Sequence, residues 1–523
     1  MNLLKRITYN PFLPILIGFI FLHLFLFNIN VAEWGDSYRF LRAAEFIRKG
    51  AYPQDEKRPP LFSLILSLRP DSVDQIFFGR VVVFVFSVAC FVVFAKLLDY
   101  FISGGLYKAL ALLFFTLNPV FLYWSIRIMS DLIFSFFVLL ALFLLTKWKE
   151  DLGVIKALIL GLLSGLAVLT RFEGYFLFVS LLLGILFGEG ISLISDISLK
   201  RLLIKAKALS MCFVAFLFIV IPDLIFRNPL GSKYLGEVSG RMYDLKMLWI
   251  YIASLLFIFG IVPAFFFVAR NFKGAMDTLR KNVGIASFLF FELLVILLWP
   301  AAIPRLFMAI IPFLIILLVL SVENYFSSPK KDLWTDTFWL IVILGFYILS
   351  QYLLRLQSLI SVKGIFVLVL LLQIFVGVST IFKKLNLFIA FTVVSMFIWA
   401  LAVIWVHKDI FISVKNAAEY GASNLSGRVA YNDVSSVSDW YLNYRYKNPS
   451  TFGFYYNSES KKNMEYNSLL AKNIDYLLLT NEHNTTMELD ISKRPYLMEI
   501  KEFRYNVNGK EFFAKIVKFN RGN

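Results

Sequence analysis

Thirteen long runs of Leu, Ile, Phe and Val, separated by short polar stretches, restrict this chain to very few folds. They lie near residues 11–30, 79–100, 107–124, 131–147, 154–170, 174–190, 208–226, 247–269, 284–300, 305–322, 337–354, 363–382 and 386–406. About 20 apolar residues in a helix span the hydrocarbon core of a bilayer. The runs are continuous rather than alternating, which argues against an outer-membrane barrel, and helices bond their own backbone groups in lipid. With 59% hydrophobic and only 17% charged residues, a 523-residue chain is too apolar for a soluble protein. The expected fold class is therefore an all-α polytopic membrane domain of about thirteen transmembrane helices over residues 1–407. From Lys408 the apolar runs stop, and 408–523 is expected to be a small C-terminal α/β soluble domain. Its strand-like segments are 427–432, 474–480 and 512–519, and its helix-compatible segment is 414–425.

Charge sets the expected orientation. The net charge of +17 is not gathered into a basic arm or recognition motif, so nucleic acid is not an expected partner. Alternate crossings from a cytoplasmic N-terminus put Lys147, Lys149, Lys200, Arg201, Lys205, Lys207, Arg270, Lys273, Arg280, Lys281, Lys330, Lys331, Lys383 and Lys384 inside. That is the positive-inside pattern, loop after loop. The run after Lys5 and Arg6 lacks a small-residue cleavage site and is expected to remain as the first helix. A multi-pass protein of the cell membrane with an external C-terminal domain follows, and the sequons at Asn424 and Asn484 suit that side. Cys90 and Cys212 sit in apolar runs, and His23, His407 and His483 are scattered, so neither a disulfide framework nor a zinc pattern is present.

The same alternation places the first loop, 31–78, outside, together with Arg127, Asp131, Arg171, Glu173, the segment Arg227–Lys246, and Arg305. External loops are expected to be poor in basic residues. Any one of these arginines could snorkel or pair with a carboxylate; as a set on one side they suggest a site. Within the loop, Ser37–Lys49 has helical spacing, Arg58-Pro59-Pro60 sets an extended turn, and Leu61–Leu68 is too short to span. A carboxylate such as Asp36 could take a proton from an acceptor hydroxyl, and Arg58 could bind a phosphate through paired donors. Taken alone, Asp36 reads more simply as the N-cap of the following helix. Arg127 and Asp131, four residues apart, could pair on one helical face, and Arg171 and Glu173 flank a bend eased by Gly174. Glu292 is an ionisable residue inside an apolar run, costly there and without an assigned role.

An acidic residue after the first membrane helix, an amphipathic loop helix ending in Gly50, and the Arg58-Pro-Pro-Leu turn resemble the first external loop of GT-C superfamily glycosyltransferases. The likeness is to the branch of protein O-mannosyltransferases and bacterial aminoarabinose transferases. Trp124-Ser-Ile-Arg127-Ile-Met-Ser130-Asp131 resembles the second acidic motif of that branch, and Gly161-Leu-Leu-Ser-Gly165 through Gly174 its Gly-rich helix pair. Pro304-Arg305 through Pro312 resembles its late Arg-aromatic-Pro motif. The resemblance implies Asp36 as catalytic carboxylate, Arg58 in place of a frequent lysine as phosphate ligand, and Arg305 as a second phosphate contact. Tyr38, Arg127, Asp131, Arg171 and Glu173 would support the site or its acceptor side. Many relatives have Asp-Glu where this chain has Asp36-Ser37.

The expected activity is inverting transfer of a sugar from a polyprenyl- or dolichyl-phosphate donor to a protein, glycan or lipid acceptor, with membrane lipids around it. No cofactor is expected: a divalent metal could sit on Asp36 and another carboxylate, but the arginines already offer positive charge, and a metal-free site is favoured. Rival readings are a flippase for a lipid-linked sugar and an oligosaccharide or polymer transferase. The flippase reading lacks the internal repeat that transporters tend to show.

Overall fold

The computed structural model describes residues 11–188, 199–227, 245–260, 263, 270–299, 304–328, 332–353, 363–446, 448–456, 465–482, 494–507 and 509–522. The Asn484 sequon, His483 and residues 228–244 of the segment Arg227–Lys246 lie outside them. The first helices are α1 (Phe12–Leu26), α2 (Gly35–Arg48), α3 (Leu61–Ser67), α4 (Gln75–Leu98), α5 (Gly105–Thr116) and α6 (Pro119–Ser125). There follow α7 (Ser130–Lys147), α8 (Val154–Val168), α9 (Gly174–Phe187), α10 (Leu199–Arg227), α11 (Leu245–Phe259), α12 (Phe272–Lys281) and α13 (Val283–Leu298). After a 3-10 turn at Pro304–Phe307 come α14 (Ile311–Ser327), α15 (Leu333–Leu353), α16 (Lys363–Ile381), α17 (Leu385–His407) and α18 (Ile412–Asn424). The remainder is β1 (Gly427–Tyr431), β2 (Thr451–Tyr455), α19 (Tyr466–Ala471), β3 (Tyr476–Thr480), β4 (Leu497–Val507) and β5 (Lys510–Phe519).

A helix stands at each apolar run, yet the elements are less uniform than the runs. Four described helical segments are long and apolar enough to cross a membrane, or up to six spans if each of two bent pairs counts as one. The pair α5–α6 bends by 52°. Asn118 accounts for the break: its Oδ1 accepts from the backbone N–H of Val120 and Phe121 at 3.2 and 3.1 Å, and Pro119 opens the new helix. The pair α12–α13 bends by 113° at Asn282.

The chain divides into two compact units. The first comprises residues 1–25, 57–62 and 81–403. In it α8 packs on α10 through small residues: a Cβ on Gly161 would collide with the Cys212 carbonyl, and one on Gly165 would lie 2.7 Å from Ile219 Cβ. Gly161 and Gly165 are four apart, the spacing that lets two membrane helices approach at backbone distance. Gly174 folds α9 back against the last turn of α8, where a side chain would strike Val168. His23 is a satisfied core residue, its ring nitrogens 2.9 Å from Phe19 O and 2.8 Å from Ser125 Oγ.

The second unit comprises residues 26–56, 63–80 and 404–523, so most of the first loop is grouped with the C-terminal segment rather than with the membrane helices. Its sheet has the order β2-β1-β3-β5-β4, with β1 parallel to both β2 and β3, and β5 antiparallel to β3 and β4. Leu477, Leu479, Val517 and Phe519 form the core beneath it. The loop helix α2 belongs to this fold. Gly35 passes so close to the Ser435 carbonyl that no side chain would fit, Arg39 Nε donates to Ser436 Oγ at 3.3 Å, and Arg42 bridges Asp55 at 2.5 Å and Asp439 at 3.8 Å.

Candidate active site

In the first unit, four of the predicted residues converge. Asp131 lies in the first turn of α7, where the helix dipole favours a carboxylate. Its Oδ1 pairs with the Arg171 guanidinium from the α8–α9 turn and lies 4.0 Å from Arg305 Nε in the 3-10 turn. Arg171 Nε donates to Glu173 Oε1 at 3.1 Å, so one guanidinium bridges two carboxylates. The Arg305 guanidinium sits 5.4 Å from the Trp124 ring centre, held over an aromatic face by the residue that opens the second motif. Asp131 Oδ2 is buried without a hydrogen bond.

A fifth group completes the cluster. Glu292 on α13 is only 3% exposed, its Oε2 has no hydrogen-bond partner, and its electrostatic neighbours are Glu173, Arg171 and Asp131. Three carboxyl groups thus share a buried region with Arg171 and Arg305. Among the described residues no group of three or more His, Cys, Asp or Glu is arranged to hold a metal ion.

Two expectations need correction. Arg127 does not share a helix with Asp131, because the chain leaves α6 at Ser125 and α7 begins at Ser130. Arg127 is instead fully buried with its guanidinium 4.7 Å from the Tyr123 ring centre. Nor is Asp36 an N-cap. Helix α2 starts at Gly35, two residues earlier than expected, Trp34 occupies the cap position, and Asp36 lies within the first turn, half-buried.

Arg58, also in the first unit, is fixed by its backbone. Its carbonyl accepts from Arg227 Nη1 at 2.5 Å, and Arg227 is itself clamped by Asp223 one helical turn earlier on α10. Sequence reasoning passed over Asp223, which stands in an apolar run beside Pro222. A carboxylate at the end of an apolar run, four residues before an arginine, was the available signal.

In the second unit, Tyr38 is positioned by the C-terminal segment. Tyr38 is 1% exposed, its hydroxyl accepts from the Glu33 N–H at 3.0 Å, and its ring packs against Trp440 and Tyr441. Burial pushes its hydroxyl pKa well above the ordinary value. Trp440 belongs to a π-helical turn, Trp440–Arg445, a geometry that inserts one extra residue and turns the side chains. The loop before it is tied by Asp433, whose carboxylate accepts from the N–H groups of Ser435 at 2.7 Å and Ser438 at 2.8 Å.

No protein-family model matches the chain, and no curated protein matches it in sequence. Solved structures do match. ArnT from Cupriavidus metallidurans, bound to undecaprenyl phosphate, has a TM-score of 0.59 at 11% identity, covering 96% of this chain and 97% of its own. The oligosaccharyltransferase AglB from Archaeoglobus fulgidus, in complex with an inhibitory peptide and a dolichol-phosphate, has a TM-score of 0.53 at 12% identity, covering 97% of this chain and 74% of its own. The chain shares the fold of these structures, as its resemblance to GT-C glycosyltransferases implied. That GT-C likeness extends over nearly the whole chain, C-terminal segment included, whereas the motifs legible in the sequence stop near residue 325.

Proposed function

We propose that this protein transfers a sugar from a polyprenyl- or dolichyl-phosphate donor to a hydroxyl of a protein, glycan or lipid at the external membrane face. The observation that carries this reading is the full-length likeness to ArnT, whose structure holds undecaprenyl phosphate; AglB, with dolichol-phosphate, points to the same donor chemistry. In the proposed step the acceptor oxygen bonds to the anomeric carbon from the face opposite the lipid phosphate. The carbon–oxygen bond to phosphate breaks, its electron pair leaves with the lipid phosphate, and Asp36 takes the acceptor proton. Inversion follows from a single displacement.

Arg58 and Arg305 would hold the phosphate as its charge develops, since guanidinium donors match phosphate geometry. The approach of Asp131 to Arg305, at 4.0 Å, supports a positioning role for that carboxylate. Arg171, held between Asp131 and Glu173, maintains the charge balance around it. Tyr38 and Arg127, both buried, would serve as supports.

Mass analysis of lipids that copurify with the intact protein tests the reading. A polyprenyl-phosphate monosaccharide, or its free lipid phosphate, is the expected species; lipid extracts containing neither would remove the proposed donor. A carrier loaded with an oligosaccharide would instead favour the transfer for which AglB is named.

A further inference from the structure

The helices that bring Asp131 and Glu173 together carry a second polar region at their other ends. Asp131 lies in the first turn of α7 and Leu145 in its last, and Gly174 opens α9 and Gly184 nears its end, so some 10–14 residues, about 15–20 Å of helix, separate the two regions. There a cavity of about 300 Å³ is bounded by the ends of α7, α9 and α12 and the starts of α10 and α13.

Two kinds of residue line it. Lys149, Lys205 and Lys281 face one acidic residue, Glu150, while Leu145, Ile185 and Ile204 provide carbon walls. Each ammonium carries three donors. One on Lys149 reaches the Lys281 carbonyl at 3.0 Å, and one on Lys205 reaches the Leu186 carbonyl at 3.1 Å, which holds the two lysines at the rim. Beside the cavity α9 and α13 approach closely on glycines: a Cβ on Gly184 would stand 3.1 Å from Gly284 Cα, and both glycines line the cavity. Capping of helix carbonyls accounts for one hydrogen bond from Lys149 and one from Lys205, but not for a cavity that gathers three cations with apolar walls.

We propose that this cavity binds a phosphate group, presented by an anionic membrane lipid or by a soluble phosphate. Basic pockets between membrane helices suit such headgroups, and the apolar walls suit the upper part of an acyl chain. The site is separate from the Asp131 cluster and does not depend on the donor proposed above.

Native mass spectrometry of the delipidated full-length protein, offered phosphatidylglycerol, phosphatidylcholine or inorganic phosphate, tests it. Wild type is expected to retain phosphatidylglycerol in preference to phosphatidylcholine, and the triple variant Lys149→Gln, Lys205→Gln, Lys281→Gln to lose at least about tenfold of that retention, about 1.4 kcal/mol. Displacement of phosphatidylglycerol by inorganic phosphate would assign the site to the soluble source. Equal retention by wild type and triple variant overturns the proposal. Should the triple variant fail to fold, Val283→Trp keeps all three lysines and fills the cavity; loss of phosphatidylglycerol supports the site, and undiminished retention overturns it.

Discussion

Arg171 is the residue on which the buried carboxylates depend most. It bridges Asp131 and Glu173, with Glu292 alongside. Removing one partner of a buried ion pair strands the other charge, at a cost of about 3–5 kcal/mol. Arg171→Gln is therefore expected to lower thermal stability in detergent by that order. Glu292→Gln, which replaces a carboxyl having one unbonded oxygen, should be tolerated and should recover part of the Arg171→Gln loss. Purely additive effects in this double-mutant cycle would contradict a shared cluster. Glu482, in the second unit, gives a pH signature. Burial, reinforced by the Asp433 carboxylate, outweighs the opposing influence of the Ser413 hydroxyl and raises its pKa from 4.5 to about 7. The folded state thus holds this proton more tightly than the unfolded chain. Its contribution is full below pH 4.5 and is lost as pH rises through about 7, up to about 3 kcal/mol in all. Wild type should consequently lose stability relative to Glu482→Gln between about pH 5 and 8. A difference in melting temperature that does not move with pH would rule out this assignment.

Helix contacts made by glycine are expected to be the least forgiving elements. Gly161→Leu would drive a side chain into the Cys212 carbonyl, a backbone atom that cannot swing away, and separate α8 from α10. Overpacking of this kind costs about 1–3 kcal/mol and should appear as a lower melting temperature with Gly18→Leu as control, a helix position with open space around it. Gly35→Ala makes the corresponding test in the second unit. By displacing Ser435 or the start of α2, it should reduce turnover through Asp36 more than it reduces global stability; full turnover would show that this close approach does not position the helix. Elements with a strong local signal were legible in the sequence. The apolar runs mark the helices, and β1, β3 and β5 carry enough branched and aromatic residues to be read as strands. By contrast β2 is five residues with a central glycine, and β4 alternates charged and apolar residues with most side chains partly or fully exposed, so neither shows a buried-strand pattern. The start of α2 is not legible locally because Gly35 is a poor helix former, and the carbonyl that leaves no room for a side chain there is 400 residues away in sequence.

At the scale of the whole molecule, the order of motifs gave the GT-C likeness and composition separated membrane segments from the C-terminal ones. The grouping of residues 26–56 and 63–80 with 404–523 was not legible, since Gly35–Ser435, Arg42–Asp439 and Tyr38–Trp440 are pairings that no local pattern encodes. The same limit applied to Asp131, whose partners Arg171 and Arg305 come from distant turns, while the local candidate Arg127 lies outside its helix. Charge patterning could only suggest that these residues share a side; packing pairs Asp131 with Arg171 and brings Arg305 near. Transfer from a lipid-phosphate sugar with Asp36 as base can be measured by incubating purified wild type and Asp36→Asn with radiolabelled polyprenyl-phosphate sugars and a membrane extract as acceptor source. Labelled acceptor is expected with wild type, and a fall of at least about a hundredfold with Asp36→Asn, the scale of general-base catalysis. Undiminished transfer by Asp36→Asn would contradict it.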